Sequence, residues 1–170
     1  EALRTGFAAR GLRVNEAKCE VWGPAGRDFG ARHRSVAVIP WGQESGTLIL
    51  GVPVCYPGTT GFAEKHWRTV LDKVGATIDR VVNNLDAQAA HHLLRQCLDA
   101  CKVTHLLRAT HTFVGPLNDL VLEADRVVLA GFERVVGEPL SPDQRTQAGL
   151  PFSAGGCGIK CPHTVRPAAR

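Results

Sequence analysis

Cysteine and histidine residues recur at two places in the sequence where a metal ion could bind. Cys97 and Cys101 form one pair, and Cys157, Cys161 and His163 form a second group. Three residues separate the cysteines within each pair, and about 55 residues separate the pairs, a spacing that matches no compact zinc finger or ribbon. We therefore expect no metal site in this chain.

The cysteines are expected to be reduced thiols. No secretory signal precedes them, and disulfides are rare in proteins that stay inside the cell. On a helix, Cys97 and Cys101 would lie one turn apart beside Leu94 and Leu98, where a free cysteine behaves as a small core hydrophobe. The sequence thus predicts a buried position for both.

Sequence patterns of known nucleophiles and phosphate loops are missing. There is no Gly-x-Ser-x-Gly, no Gly-x-x-x-x-Gly-Lys-Ser/Thr, and no Gly-x-Gly-x-x-Gly after a strand. Gly155, Gly156 and Gly158 follow an apolar turn, so we do not expect them to bind phosphate. His91 and His92 are expected at exposed polar positions, and no adjacent aspartate pair offers a site for two metal ions.

The basic residues are unevenly distributed, although the net charge is only +4. Arg27, Arg32 and Arg34 cluster in one short stretch, and no acidic residue follows Asp143. A solvated loop and a solvated tail would explain both features, and so would contact with phosphate groups. Charge alone leaves both interpretations open.

Length and composition indicate a globular protein with one core. The chain has 170 residues, of which 44% are apolar and 21% charged. No apolar stretch reaches the length of a membrane span, and the N-terminus lacks the apolar run of a signal peptide. We expect an intracellular protein, nuclear or cytoplasmic, with no membrane partner. Because it starts at Glu1 and has no methionine, we also expect it to be part of something longer.

The first 58 residues have the pattern of a helix end followed by short strands. Leu3 and Phe7 have helical spacing, and Gly11 stands where a left-handed helix cap is favoured. Alternating residues predict strands at 12–15 and 18–22, which could pair as a hairpin, and further strands at 35–40 and 47–54. Glycine and proline make residues 23–34 a basic loop.

Residues 59–170 have the period of amphipathic helices. Apolar residues recur every three or four positions from Gly61 to Leu85, which predicts one long helix. Asp86 is placed to cap a second helix that continues or kinks towards Leu107. A third helix is expected from Pro116 to Gly137, and the sequence Ser-Pro-Asp-Gln at 141–144 predicts the capped start of a fourth. The predicted fold class is α+β, with a small β-rich unit at 1–58 and a helical bundle at 59–170.

Four pieces of the sequence, taken in order, resemble a known family. They are GLRVNEAKCEVW at 11–22, LILGVPV at 48–54, HHLLRQCLDACKVTHLLRAT at 91–110 and AGLPFSAGGCGIK at 148–160. Together they resemble the segment that follows the catalytic aspartates in reverse transcriptases of LINE-type, non-LTR retrotransposons. The resemblance implies the C-terminal remnant of a polymerase palm followed by a helical thumb.

The resemblance implies roles for particular residues. Gly11, Leu12 and Asn15 match the last palm motif, and Lys18 would be its basic residue near the incoming nucleotide, where positive charge favours departure of pyrophosphate. Without the resemblance, Lys18 would be a surface lysine of a strand. Residues 50–53, with Leu50, Gly51 and Pro53, are similar to the primer-grip hairpin. Gly51 would let backbone approach a nucleic-acid strand, which is compatible with a β-bulge there.

The implied function is binding of an RNA/DNA primer-template within an RNA-directed DNA polymerase. The phosphate-facing residues would be Arg27, Arg32, Arg34, Lys65, Arg68 and Lys73. The catalytic aspartates and their Mg²⁺ would belong to the upstream palm and fingers of the parent polyprotein, so this chain alone would be inactive and would hold no cofactor. The alternative is a degenerate, host-retained helical module that binds nucleic acid or protein without enzymatic activity.

Overall fold

Short strands precede a set of helices that build the core. The computed structural model describes residues 2–25, 36–110 and 115–169. The helices are α1 (Ala2–Ala8), α2 (Gly61–Asn84), α3 (Ala87–Leu93), α4 (Thr104–Ala109), α5 (Pro116–Val136), α6 (Pro142–Gly149) and α7 (Pro162–Ala169). The strands are β1 (Glu20–Trp22), β2 (Ala37–Ile39), β3 (Gly46–Ile49) and β4 (Val52–Cys55). The chain is therefore a mixed α+β protein, as its sequence predicts.

Helices α2 and α5 form the centre of the core. Ion pairs join the two helices, Arg68 with Glu123 and Asp79 with Arg134. Because both residues of the second pair lie further along the chain than those of the first, the helices run in the same direction. Their apolar faces bury Trp67, Leu71 and Ile78 on α2 and a matching stripe on α5, because apolar residues at steps of three and four share one helix face. Helix α4 covers one end of this pair with Leu106 and Leu107.

The strands form two separate sheets of two strands. β1 pairs with β2 in parallel, Glu20 opposite Ala37, whereas β3 and β4 form an antiparallel hairpin with Gly46 opposite Cys55. Trp41 joins the sheets, because its ring lies 4.5 Å from that of Trp22 and 5.1 Å from that of Tyr56, between ring centres. Strand β4 also contacts α2 and α4, which attaches the hairpin to the helical core.

Several sequence predictions are confirmed at the helix ends. Gly11 has φ +72° after α1, and Gly137 has φ +89° after α5, both in the left-handed region. The Asp86 carboxylate accepts a hydrogen bond from the Ala89 amide at 3.0 Å and caps α3. Ser141 and Gln144 form the reciprocal capping box at the start of α6. These features depend on nearby residues only, which is why the sequence predicts them.

The predicted hairpin between residues 12–15 and 18–22 is wrong. The Asn15 carbonyl accepts a hydrogen bond from the Lys18 amide at 3.1 Å and closes a 3₁₀ turn at Glu16–Lys18. The backbone of this segment is thus used in a turn, and β1 finds its partner in the distant β2. The single strand predicted at 47–54 is also wrong, since Leu50 and Gly51 turn the chain between β3 and β4.

The predicted burial of Cys97 and Cys101 is wrong as well, since both are exposed. A π-helical turn at Leu94–Leu98 follows α3, and the chain then becomes extended at Asp99 before a 3₁₀ turn at Ala100–Lys102. The buried Asp99 carboxylate accepts hydrogen bonds from the amides of Cys101 at 3.1 Å and Lys160 at 3.3 Å. This contact with the distant segment interrupts the helix after Leu98, and both thiols are exposed.

Candidate nucleic-acid interface

The tip of the β3–β4 hairpin is the exposed end of the motif matched to a primer grip. Leu50 and Gly51 have φ +52° and +80°, as a two-residue turn of type I′ requires, and the Leu50 side chain is 97% exposed. Pro53, in contrast, is buried, opposite Leu48 in the second residue pair from the turn. The motif therefore places one apolar side chain and a bare backbone in solvent, and anchors the hairpin with its proline.

Two histidines contact the tip from the helical core. His66 Nε2, on α2, lies 3.1 Å from the Gly51 carbonyl oxygen, and a Cβ atom at Gly51 would lie 4.0 Å from His105 Nε2, on α4. The hairpin tip thus rests between two helices whose nearest polar groups are imidazoles. Neither histidine is recognisable from the sequence, because only the tertiary fold brings α4 to the hairpin.

The three predicted cations of α2 occupy its solvent face but not one stripe. At about 100° per residue, Arg68 lies about 140° from Lys73 around the helix axis, and Lys65 lies between them. Arg68 points towards α5, where its guanidinium is 3.6 Å from the Glu123 carboxylate. This exposed pair lies on the α5 side of α2, about 140° around the helix axis from Lys73.

Lys73 lies on the opposite flank of α2, which also carries His66. It lines a shallow groove of about 190 Å³ together with Lys102, and the walls between the two lysines are Val70, Val74, Thr77 and Leu98. Lys73 and Lys102 are both exposed. We call His66, Lys73, Lys102 and His105, with the hairpin tip, the hairpin flank: the two histidines lie at the tip, and the two lysines line the groove beside the same flank of α2.

The motif at residues 11–18 lies next to the hairpin through β1. The Thr47 hydroxyl of β3 donates a hydrogen bond to the Glu20 carboxylate of β1 at 3.5 Å. Lys18, at the end of the 3₁₀ turn before β1, is exposed, as are Leu12 and Asn15. Arg27, Arg32 and Arg34 lie outside the described residues, and so does most of the predicted basic loop.

The glycines of the 148–160 motif shape a loop. The Gly156 amide donates to the Pro151 carbonyl at 3.1 Å, and a Cβ at Gly156 would overlap the Leu150 carbonyl oxygen, so only glycine fits. Gly155 has φ +76° and open space around it. The amides of Gly155, Gly156 and Gly158 all donate to backbone carbonyls within the loop, so none of them is left for a phosphate.

Polar contacts join α7 to α5. The Asp125 carboxylate accepts a hydrogen bond from the His163 amide at 2.9 Å, and Arg166 Nη1 donates to Asn118 Oδ1 at 2.8 Å. Burial raises the pKa of the Asp125 carboxyl. Burial, helped by Asp125 and Asp99, raises the pKa of the Cys161 thiol to about 11, so this thiol is a poor nucleophile at neutral pH.

The described part of the chain contains neither a group of metal-ligating side chains nor a membrane-spanning helix. Within residues 2–25, 36–110 and 115–169, no three His, Cys, Asp or Glu side chains are grouped to hold a metal ion. No helix among the same residues combines the length and apolar composition needed to cross a bilayer.

Comparison with known proteins adds no relative: no protein-family model, no curated protein and no solved structure matches this chain.

Proposed function

We propose that this chain is the C-terminal palm and thumb segment of a reverse transcriptase of the non-LTR type, and that it binds primer-template duplex through the hairpin flank. The catalytic aspartates and Mg²⁺ would come from palm and fingers segments upstream, so no chemical step is assigned to the described residues. Lys18 would assist pyrophosphate departure in that larger enzyme.

The observation that carries the proposal is the hairpin tip. The resemblance assigns residues 50–53 to a hairpin that touches nucleic acid, whereas the strand pattern of the sequence predicts a single strand at 47–54. The structure has a two-residue turn at Leu50 and Gly51, next to His66 and His105. A bare backbone beside basic side chains suits the sugar-phosphate chain of a duplex.

Charge on the hairpin flank supports the same partner. Lys73 and Lys102 face one groove, and no carboxylate lines it. Phosphate groups two to three base pairs apart could contact these lysines together with Lys65, and such contacts would not depend on base sequence. Arg68 would add little, because Glu123 already pairs with it.

Exposed apolar side chains in the first third of the chain favour a protein partner. This partner would be the upstream palm in the polymerase proposal and another protein in the interaction-module alternative. Leu12, Leu48 and Ile49 are 55%, 47% and 57% exposed in the first third of the chain, and each sheet has only two strands. Two-stranded sheets are marginal alone, and open edges pair with further strands. The polymerase proposal puts the upstream palm on this face, whereas a host-retained interaction module would put another protein there.

The experiment is a salt titration of duplex binding by fluorescence anisotropy, with a labelled primer-template. Each phosphate contact should add about −0.9 to the slope of log K against log salt. Replacing Lys73 and Lys102 by Ala should therefore reduce the slope by roughly one to two units and weaken all sequences alike. Arg126→Ala is the matched control, since Arg126 is an exposed cation on the far side of α5.

Two results would count against the proposal. If the chain does not bind duplex even at low salt, the interaction-module alternative takes precedence. If duplex binds but Arg126→Ala lowers the slope as much as the double variant, the charge effect is general and the hairpin flank is not the interface.

A further inference from the structure

An exposed aromatic ring with an arginine stacked on it stands apart from the hairpin flank, on the loop of the glycine-rich motif. Phe152 is 56% exposed although it is a large apolar side chain. The Arg95 guanidinium carbon lies 4.3 Å from the centre of the Phe152 ring, in cation–π geometry. We call Phe152 and Arg95 the stacking pair.

His91 and Gly158 position the stacking pair. His91 meets the Phe152 ring edge-on at 6.2 Å between centres, and its Nε2 lies 3.1 Å from the Cys157 carbonyl oxygen, to which it can donate. Gly158 lies under Arg95, where a Cβ atom would come within 2.6 Å of Arg95 Nε. The glycine thus makes room for the arginine, and the ring is presented by a fixed loop.

The N–H groups of the Arg95 guanidinium are available to bind an anion. A guanidinium that stacks through its face keeps its N–H donors in its own plane, where they bind phosphate oxygens. Within the described residues Arg95 has neither a carboxylate partner nor a hydrogen-bond acceptor, while other surface arginines such as Arg134 and Arg145 do pair with acids. The chain after Asp143 carries only basic charged side chains.

We propose that Phe152 and Arg95 form a binding site for an unpaired nucleotide of a single strand, with the base stacked on Phe152 and a neighbouring phosphate bound by Arg95. A nucleotide is the ligand class that offers a π face and an anionic group together, and aromatic residues bind single strands in this way irrespective of sequence. This inference rests on the proposed nucleic-acid function, but it concerns single strands and a different surface from the duplex-binding hairpin flank.

The test compares labelled single-stranded oligodeoxynucleotides of about 12 residues with otherwise identical strands in which every base is replaced by an abasic site. Stacking of one base contributes about 1–3 kcal/mol, so the chain should bind the intact strand at least about 5-fold more tightly than the abasic strand. Phe152→Ala should abolish this preference, and Phe152→Trp should keep it. Arg95→Lys should weaken both strands, because a lysine keeps the charge but loses the planar fork.

Matched controls separate this site from general effects. Phe7→Ala removes another exposed aromatic ring, and Arg108→Ala another exposed arginine, so neither should change the preference. The proposal is overturned if intact and abasic strands bind the unmodified chain alike, or if Phe152→Ala retains the preference. Duplex binding through Lys73 and Lys102 is measured in parallel, so loss of the single-strand site and loss of the duplex function are distinguishable.

Discussion

Single residues of the same type have very different surroundings in this fold. Cys97 is exposed on the π-helical turn, whereas Cys161 is half-buried between Asp99 and Asp125. Burial and the two carboxylates both disfavour the thiolate of Cys161, and they raise its pKa to about 11. Because the thiolate is the reactive form, position in the fold decides which thiol reacts.

We therefore expect iodoacetamide at pH 8 to modify Cys97 while Cys161 stays unmodified. At that pH only about one Cys161 in a thousand would be ionised, by its pKa of about 11. Since a raised thiol pKa shifts ionisation to alkaline pH, the Cys161 rate should rise about tenfold per pH unit until unfolding intervenes. Peptide mapping by mass spectrometry measures both rates, and comparable rates at pH 8 would contradict the assigned burial.

Between elements, the close approach of α2 and α5 depends on glycine at one position. A Cβ atom at Gly131 would come within 2.5 Å of Ile78 Cγ2 and 3.1 Å of Leu94 Cδ1, whereas one at Gly75 would meet Val127 Cγ1 at an ordinary 3.8 Å. Both glycines lie inside helices, where alanine is favoured by propensity. Alanine substitutions at these two glycines therefore test close helix packing and helix propensity separately.

Gly131→Ala should lower the free energy of unfolding by about 1–3 kcal/mol, because an added methyl overpacks the core. Gly75→Ala should raise it by about 0.5–1 kcal/mol, because it fits and stabilises the helix. Urea unfolding followed by circular dichroism measures both. If Gly131→Ala stabilises the protein as Gly75→Ala does, the helices do not pack as closely as described.

At the scale of the whole molecule, the chain combines a well-buried helical core with a first third that exposes apolar side chains. Trp67, Leu94 and Leu106 are fully buried, while Leu48, Ile49 and Leu50 are exposed in the hairpin. A protein that exposes apolar side chains in this way is expected to bind a partner molecule through them. The proposed polymerase supplies both a protein partner for the sheets and a nucleic-acid partner for the helices.

The purified chain should not extend a primer on an RNA template, with either magnesium or manganese. Phosphoryl transfer by polymerases requires carboxylates that hold two metal ions, and this sequence offers no adjacent aspartate pair. A primer-extension assay with labelled nucleotide measures this, with an intact reverse transcriptase as positive control. Metal-dependent incorporation by this chain would falsify its assignment as a segment without the catalytic centre.

The sequence alone determined the features that depend on neighbours along the chain. The long helices α2 and α5 follow from apolar residues at steps of three and four, and Gly137, Asp86 and Ser141 mark helix ends because caps are local hydrogen-bonding devices. Lys65 and Lys73 could be placed on the solvent face of α2 by the same period. A family resemblance suggested the hairpin at residues 50–53, which strand alternation did not.

The tertiary structure decided everything that depends on residues far apart in the chain. The Asp99 carboxylate accepts a hydrogen bond from the Lys160 amide where the helix stops after Leu98, and both Cys97 and Cys101 are exposed. Glu123 on α5 pairs with Arg68, and only the tertiary fold brings His105 on α4 to the hairpin tip. Phe152 and Arg95 are 57 positions apart, and no local sequence pattern predicts their contact. The fold brings them together, and Gly158 leaves room for the guanidinium.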